Sequence, residues 1–261
     1  MEDWKKFELD CTEYLNNTYG SNFIHHGFSD STVSDIEFNN GIKSFFIEAK
    51  MNFAQSGQFV LLPNYDEKKF IFSSNNKSDI DENVEFIMDY MNKNFDKFAK
   101  AGTRGVNINL PQKLFSNWII KSYRKRGVEF LITKGNDYIV FPIQRYLDYF
   151  NISGKYRIKQ SGTNKLAKKD HDKAKARIKQ LYYDAEFITD ANNELFAKID
   201  NQIISNIISL DEFDLYLSKE KDSLYKVKKR SNTRNLNVIF SIKLIKEQDQ
   251  QDLKSFINRI L

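Results

Sequence analysis

The stretch from Ser34 to Lys50, SDIEFNNGIKSFFIEAK, limits the fold of this chain more than any other. Ile36 and Phe38 on one side, and Phe45, Phe46 and Ile47 on the other, flank Asn39, Asn40 and Gly41, residues that tolerate left-handed backbone. That is the pattern of a β-hairpin. With a two-residue turn at Asn40 and Gly41, paired residue numbers sum to 81 and residue 35 stands opposite residue 46. Glu48 and Lys50 share the face of residue 46 by the period of two, so Asp35, Glu48 and Lys50 converge on one side. Asp35 and Glu48 are then diagonal neighbours. The parity rests on turn length, because one further loop residue flips it unless a bulge absorbs the change.

Two carboxylates followed by a lysine suit metal-assisted phosphodiester hydrolysis. Mg²⁺ takes one or two carboxylates with substrate oxygens and water, and the Ala49 carbonyl lies between Glu48 and Lys50 as a further ligand. The metal activates the attacking water, and Lys50 orients that water or the scissile phosphate. A third carboxylate comes from the opening segment, where Trp4, Phe7, Cys11, Tyr14 and Leu15 recur at helical spacing from about Asp3 to Asn17. Glu8 falls on that apolar face, where an unpaired charge is costly. It either reaches solvent at the edge of the stripe or serves an outer-shell water or a second metal. Charged strand residues are common, and the same three charges also fit an ordinary solvated hairpin.

Further strands are expected over Gln58–Leu62 and Lys69–Phe72, a helix over Asp81–Ala99, and another from the first-turn Pro111 to Arg124, ending at Gly127. Val128–Thr133 and Tyr138–Phe141 read as a second hairpin, followed by a short helix to about Phe150. Tyr156–Ser161, Leu224–Lys229 and Asn237–Leu244 read as strands, and Glu247–Leu261 as a closing helix. The run KLAKKDHDKAKARIKQ is either a helix face or a loop. Mixed strands and helices without a repeat point to an α+β or α/β chain.

Charge is unevenly spread. Residues 1–100 hold 10 Lys/Arg against 17 Asp/Glu, whereas residues 101–180 hold 18 against 5. An acidic first section before a basic middle suits a metal-dependent enzyme acting on a polyanion, and also suits a solvated Lys-rich surface. A lone cysteine, Cys11, excludes an intramolecular disulfide and multi-cysteine zinc sites. No apolar run is long enough to span a bilayer, and a cytoplasmic location is expected. His25 and His26, with only His171 elsewhere, lack the pattern of a histidine-metal nuclease and are expected at the surface.

SDIEFNNGIKSFFIEAK resembles the active-site motif of the PD-(D/E)XK nucleases, with Ser34 in the usual proline position. The opening WKKFELDCTEYLNNTYG, the run SDSTVSDI, EAKM before QSGQFVL, FPI at Phe141 to Ile143, YRIKQSG at Tyr156 to Gly162, and NVIFSI at Asn237 to Ile242 are similar to the HhaI-like type II restriction endonucleases. The similarity covers most of residues 1–165 and about 225–243. It implies an α+β fold: an α/β/α-like nuclease core with a mixed sheet, plus further mixed sheets for DNA recognition. On this resemblance Asp35, Glu48 and Lys50 are catalytic, with Glu8 beside them. Asp35, Glu48 and Ala49 would hold Mg²⁺, in a turn one residue longer than the family's.

The resemblance further implies a monomer that cuts duplex DNA at GCGC and works beside a cognate DNA methyltransferase. The expected sections are catalytic (1–105), sequence-recognising (106–180) and accessory DNA-binding (181–261). Arg157 and Lys159 suit guanine O6 and N7, while Tyr156 and Ser161 would meet a phosphate or base edge. Gln55 and Gln58 follow the catalytic strand and are candidates for the scissile strand. Asn164 is a further DNA-binding candidate, and the run from Lys165 to Lys179, Lys168 included, is expected to meet phosphates, which position without specifying. Thr163 and Asn164 stand where an SGSR-like run carries another arginine. A non-catalytic DNA-binding protein and a structure-specific repair nuclease of the same fold are the alternatives.

Overall fold

A computed structural model describes residues 3–26, 34–160, 162–200, 203, 205–230 and 234–261. Helix α1 (Asp3–Tyr19) leads to β1 (Phe23–His25), and the hairpin follows as β2 (Ile36–Asn39) and β3 (Ser44–Ala49). Next come β4 (Phe53–Asn64), β5 (Lys69–Phe72), α2 (Glu82–Lys93), α3 (Phe95–Phe98), β6 (Val106–Ile108) and α4 (Gln112–Arg124). A second hairpin, β7 (Val128–Lys134) with β8 (Tyr138–Pro142), passes through a 3₁₀ turn (Ile143–Arg145) and α5 (Tyr146–Tyr149) into β9 (Phe150–Gln160). After β10 (Thr163–Lys165) and α6 (His171–Leu181) come β11 (Glu186–Thr189), β12 (Leu195–Lys198), β13 (Ile207–Ser209), β14 (Asp214–Lys221) and β15 (Leu224–Arg230). Strand β16 (Arg234–Leu244) and α7 (Gln250–Ile260) complete the order.

The chain divides into two compact units, one of Glu2–Ile158 with Leu236–Leu261 and one of Lys159–Asn235. The first holds two sheets. In one, the order is β1-β2-β3-β7-β8, with β3 and β7 parallel and the other pairs antiparallel. Its outer face presents Ile36, Phe38, Phe45, Ile47, Phe130 and Ile132 to Cys11 and Leu15 of α1 and Phe256 of α7. Fully burying each such apolar side chain contributes roughly 1.5–3 kcal/mol. Val128 and Leu131 belong instead to the larger core, with Phe115, Trp118 and Ile119 of α4 and Phe240 of the second sheet. That sheet has the order β5-β4-β16-β9-β6. Helices thus cover both faces of a mixed sheet.

In the other unit, the order is β11-β12-β15-β14-β13, and β10 also pairs with β15. Ala174 and Ile178 of α6 join Leu195, Leu215, Leu217 and Val227 in its core. The basic run over α6 is therefore a helix, its apolar residues inward and Lys173, Lys175 and Lys179 at least partly exposed. The division between the units falls at 158/159 and 235/236.

Two local outcomes shape the site. The β2–β3 register pairs Ile36 with Ile47 and Phe38 with Phe45, a sum of 83 rather than 81. The loop is four residues, Asn40–Lys43, because the side chains of Asn39 and Asn40 build it. Asn39 Oδ1 accepts from Gly41 N, and Asn40 Oδ1 accepts from Ile42 N and Lys43 N at 3.0 and 2.8 Å. Gly41 takes φ +83°, where a Cβ is disfavoured. Lys43 Nζ donates to Arg259 O of α7 at 3.3 Å, holding the hairpin tip. Parity survives because the shift is two residues, and Asp35 comes directly level with Glu48.

The second outcome is the turn after α4. Arg126 N and Gly127 N close it on Tyr123 O and Arg124 O, both at 2.9 Å. Gly127 takes φ +76° and its carbonyl accepts from Phe46 N at 3.1 Å, which starts the parallel β3–β7 pairing. Pro111 precedes α4 rather than forming its first residue, and the long helix expected over Asp81–Ala99 breaks at Asn94.

Candidate active site

Asp35, Glu48 and Lys50 meet at the end of the hairpin. Asp35 Oδ2 accepts from Ala49 N at 2.9 Å, so the carboxylate continues the strand ladder where β2 begins. Lys50 Nζ lies 2.7 Å from Glu48 Oε1 and 3.6 Å from Asp35 Oδ2, and donates to Ala49 O at 3.1 Å. Among the described residues, Glu48 Oε2 is buried without a hydrogen-bond partner. An unsatisfied buried carboxylate oxygen is costly, and such atoms mark sites completed by an ion or water.

The electrostatics follow from burial. Desolvation, resisted by Lys50 and reinforced by Glu48, raises the Asp35 carboxyl to about 6. Burial opposes the charge on Lys50, yet Glu48, Tyr123 and Asp35 hold its ammonium well above the ordinary lysine value. Glu8 is buried on α1, and desolvation followed by the Asp35 charge raises it to about 7. Its Oε2 lies 3.4 Å from His25 Nε2. A site short of cations favours protonated acids, and a bound divalent cation reverses that preference.

Three members of this neighbourhood, His25, Arg126 and Tyr123, carry no motif that marks them in the sequence. His25 was expected at the surface, but its side chain is only 12% exposed, and burial lowers its pKa. Glu8 of α1, against which β1 packs, lies beside it. In the other unit, His171 at the start of α6 is buried, at 5%. Arg126 donates to Glu48 Oε1 at 3.5 Å and lies 4.7 Å from the centre of the Tyr123 ring. Tyr123 is itself fixed: its hydroxyl lies 2.8 Å from Ser56 Oγ and donates to Ser56 O at 3.1 Å, while Ser56 Oγ also meets the Tyr146 hydroxyl. The only sequence signal was the basic run KSYRKRG before β7.

The expected DNA residues divide by burial. Gln55 and Gln58 are exposed on β4, with Gln55 Nε2 donating to Gln58 Oε1 at 2.8 Å. Arg157 and Lys159 are half-buried on β9. Asn164, Lys165 and Lys168 are exposed, and Lys165 meets the Asn192 carbonyl. Ser161 lies outside the described residues. Tyr156 is a correction: it is fully buried in the core, and its hydroxyl donates to Leu61 O at 2.7 Å. The strand alternation that exposes Arg157 turns Tyr156 inward against Phe70 and Phe98.

Among the described residues, no three His, Cys, Asp or Glu side chains group as a metal cage. The donor set here is smaller, two carboxylates and a carbonyl with an unpartnered Glu48 oxygen, which fits a hard cation that keeps several waters. No helix among the described residues is long and apolar enough to cross a membrane.

Two level carboxylates and a lysine on a hairpin, in a mixed sheet covered by helices, are the arrangement expected of a nuclease of the PD-(D/E)XK kind. No family model matches the chain, nor does any curated protein sequence. Among solved structures, an HhaI endonuclease in complex with DNA matches at 42% sequence identity over 99% of each chain, with a TM-score of 0.86. The chain belongs to the HhaI-like type II restriction endonucleases and has the α+β fold of that neighbour.

Proposed function

We propose that this endonuclease makes Mg²⁺-dependent double-strand cuts in duplex DNA at a short GC-rich site, GCGC, by attack of water on a phosphodiester. The observation that carries the reading is the buried, unpartnered Glu48 Oε2 beside Asp35 and Lys50. Asp35, Glu48 and the Ala49 carbonyl would hold the cation, whose chemistry is to acidify water and neutralise charge on phosphate. Lys50, held between both carboxylates, fixes their separation and orients the water or scissile phosphate. Glu8, raised to about 7, is suited to hold or accept a proton from an outer water.

Arg157 and Lys159 are proposed to read guanine edges, Gln55 and Gln58 to meet the scissile strand, and Asn164, Lys165 and Lys168 to contact phosphates. Residues 1–105, 106–180 and 181–261 would supply catalysis, recognition and accessory binding. The enzyme would act as a monomer in the cytoplasm, beside a methyltransferase protecting the same site.

The test uses plasmid DNA, unmethylated and methylated at GCGC, with and without Mg²⁺, beside an Asp35→Asn variant. Discrete Mg²⁺-dependent fragments that vanish on methylation and in the variant support the proposal. Binding without cutting, or cutting of flaps and mismatches alone, overturns it.

A further inference from the structure

The donors around Glu48 are unevenly used. Lys50 has three N–H donors, and three oxygens already surround its ammonium: Glu48 Oε1, Ala49 O and Asp35 Oδ2 at 2.7, 3.1 and 3.6 Å. It reaches a substrate oxygen only by giving one of these up. Arg126 has five donors in a planar fork, and its single side-chain hydrogen bond among the described residues is the 3.5 Å contact to Glu48 Oε1. That contact lies at the limit of hydrogen bonding, on an oxygen Lys50 already satisfies.

Nor is Arg126 sealed away. Its side chain is 21% exposed, against 5% for Glu48. Its guanidinium is nonetheless positioned, because the Tyr123 ring lies 4.7 Å from it and the buried Ser56 and Tyr146 hydroxyls lock that ring. The closed turn at Tyr123–Gly127 fixes its backbone. A planar fork with unused donors, held beside two carboxylates, matches a phosphate better than it completes an ion pair.

We infer that Arg126 is a further catalytic residue, which contacts a phosphate of the strand being cut, with Tyr123 as the platform that positions its guanidinium. In the free enzyme it shares the Glu48 charge with Lys50. When DNA occupies the site, its unused donors meet a non-bridging phosphate oxygen, steadying the charge that grows there during displacement. The assignment rests on the proposed hydrolysis of duplex DNA.

The experiment places one neutral methylphosphonate at each position in turn across a GCGC duplex. Affinity is measured in Ca²⁺ and cleavage rate in Mg²⁺, for the wild type, Arg126→Gln and Arg126→Lys. The expected result is one position at which neutralisation weakens wild-type binding about tenfold and leaves Arg126→Gln binding unchanged. Arg126→Gln should cut the unmodified duplex about a hundredfold more slowly, with Arg126→Lys between the two. Thermal melting of each variant shows that it is folded. If every methylphosphonate weakens wild type and Arg126→Gln equally while the wild type still cuts, the assignment falls and the nuclease reading stands. If the wild type neither binds nor cuts the duplex, the nuclease reading fails first.

Discussion

Asp35 Oδ2 accepts the amide of Ala49 at 2.9 Å, so the acid that opens one strand of the hairpin is tied to the residue between the other two charges of the motif. Through that bond, hairpin register and active-site geometry become one property. The four-residue loop sets which residues are level, and the level residues are Asp35 and Glu48.

The loop is therefore a test of the site made from a distance. Ile42 is 91% exposed at the tip and packs on nothing that catalysis needs. Ile42→Ser should leave cleavage within a factor of two to three, since exposed substitutions of this kind stay within about 0.5 kcal/mol. Deleting Ile42 shortens the loop by one and moves one strand's side chains to the other face. Cleavage by the deletion variant should fall to background; full activity would mean that the register does not set the site.

Among the described residues, Lys50 is the only ammonium bridging the two acids. Lys50→Ala should abolish cutting while preserving DNA binding, as gel-shift and cleavage assays would show. Lys50→Met should also destabilise the metal-free protein by about 3–5 kcal/mol, because breaking a buried pair leaves unpaired charge. Added Mg²⁺ should restore much of that loss in thermal melts. A metal-independent melting temperature equal to wild type would contradict the bridging role.

Acid should act through Asp35 and Glu8. Both fold with raised values, about 6 and about 7, from ordinary values of 3.8 and 4.5, so the folded metal-free protein binds more protons between them. The stability they contribute is complete below pH 4 and is lost as pH rises through 6 to 7. Cation binding needs the ionised acids and runs the other way, tightening over the same interval. The Mg²⁺-induced melting shift should therefore grow from pH 5.5 to 8, and a shift that shrinks would contradict the assignment.

Tyr156 separates packing from recognition. Tyr156→Phe removes the hydroxyl that satisfies Leu61 O and should cost about 1–3 kcal/mol in denaturant unfolding. Its affinity for GCGC duplex should match wild type. A selective loss of DNA affinity without loss of stability would return Tyr156 to the recognition surface.

Much of the site was legible because the hairpin obeys local rules. The apolar alternation of Ile36, Phe38, Phe45 and Ile47 revealed the inward face, and the odd parity put three charges together. Loop length was not legible, since the side chains of Asn39 and Asn40 hydrogen-bond the backbone in place of a tighter turn. Arg126 and Glu48 are 78 residues apart and meet only through the parallel β3–β7 pairing, which no local pattern announces. His25 looked like a surface residue until α1 packed over it. Tyr156 and Arg157 looked equivalent inside YRIKQSG, and only the strand's phase divides them into core and surface.

That Glu48 and its neighbours form a metal-dependent hydrolytic site is tested most directly by the single-turnover rate of duplex cleavage by Glu48→Gln in saturating Mg²⁺. Removing the carboxylate whose Oε2 has no partner among the described residues should forfeit several kcal/mol of transition-state stabilisation, a fall of about a thousandfold or more. A variant that cuts within about tenfold of wild type would contradict the claim.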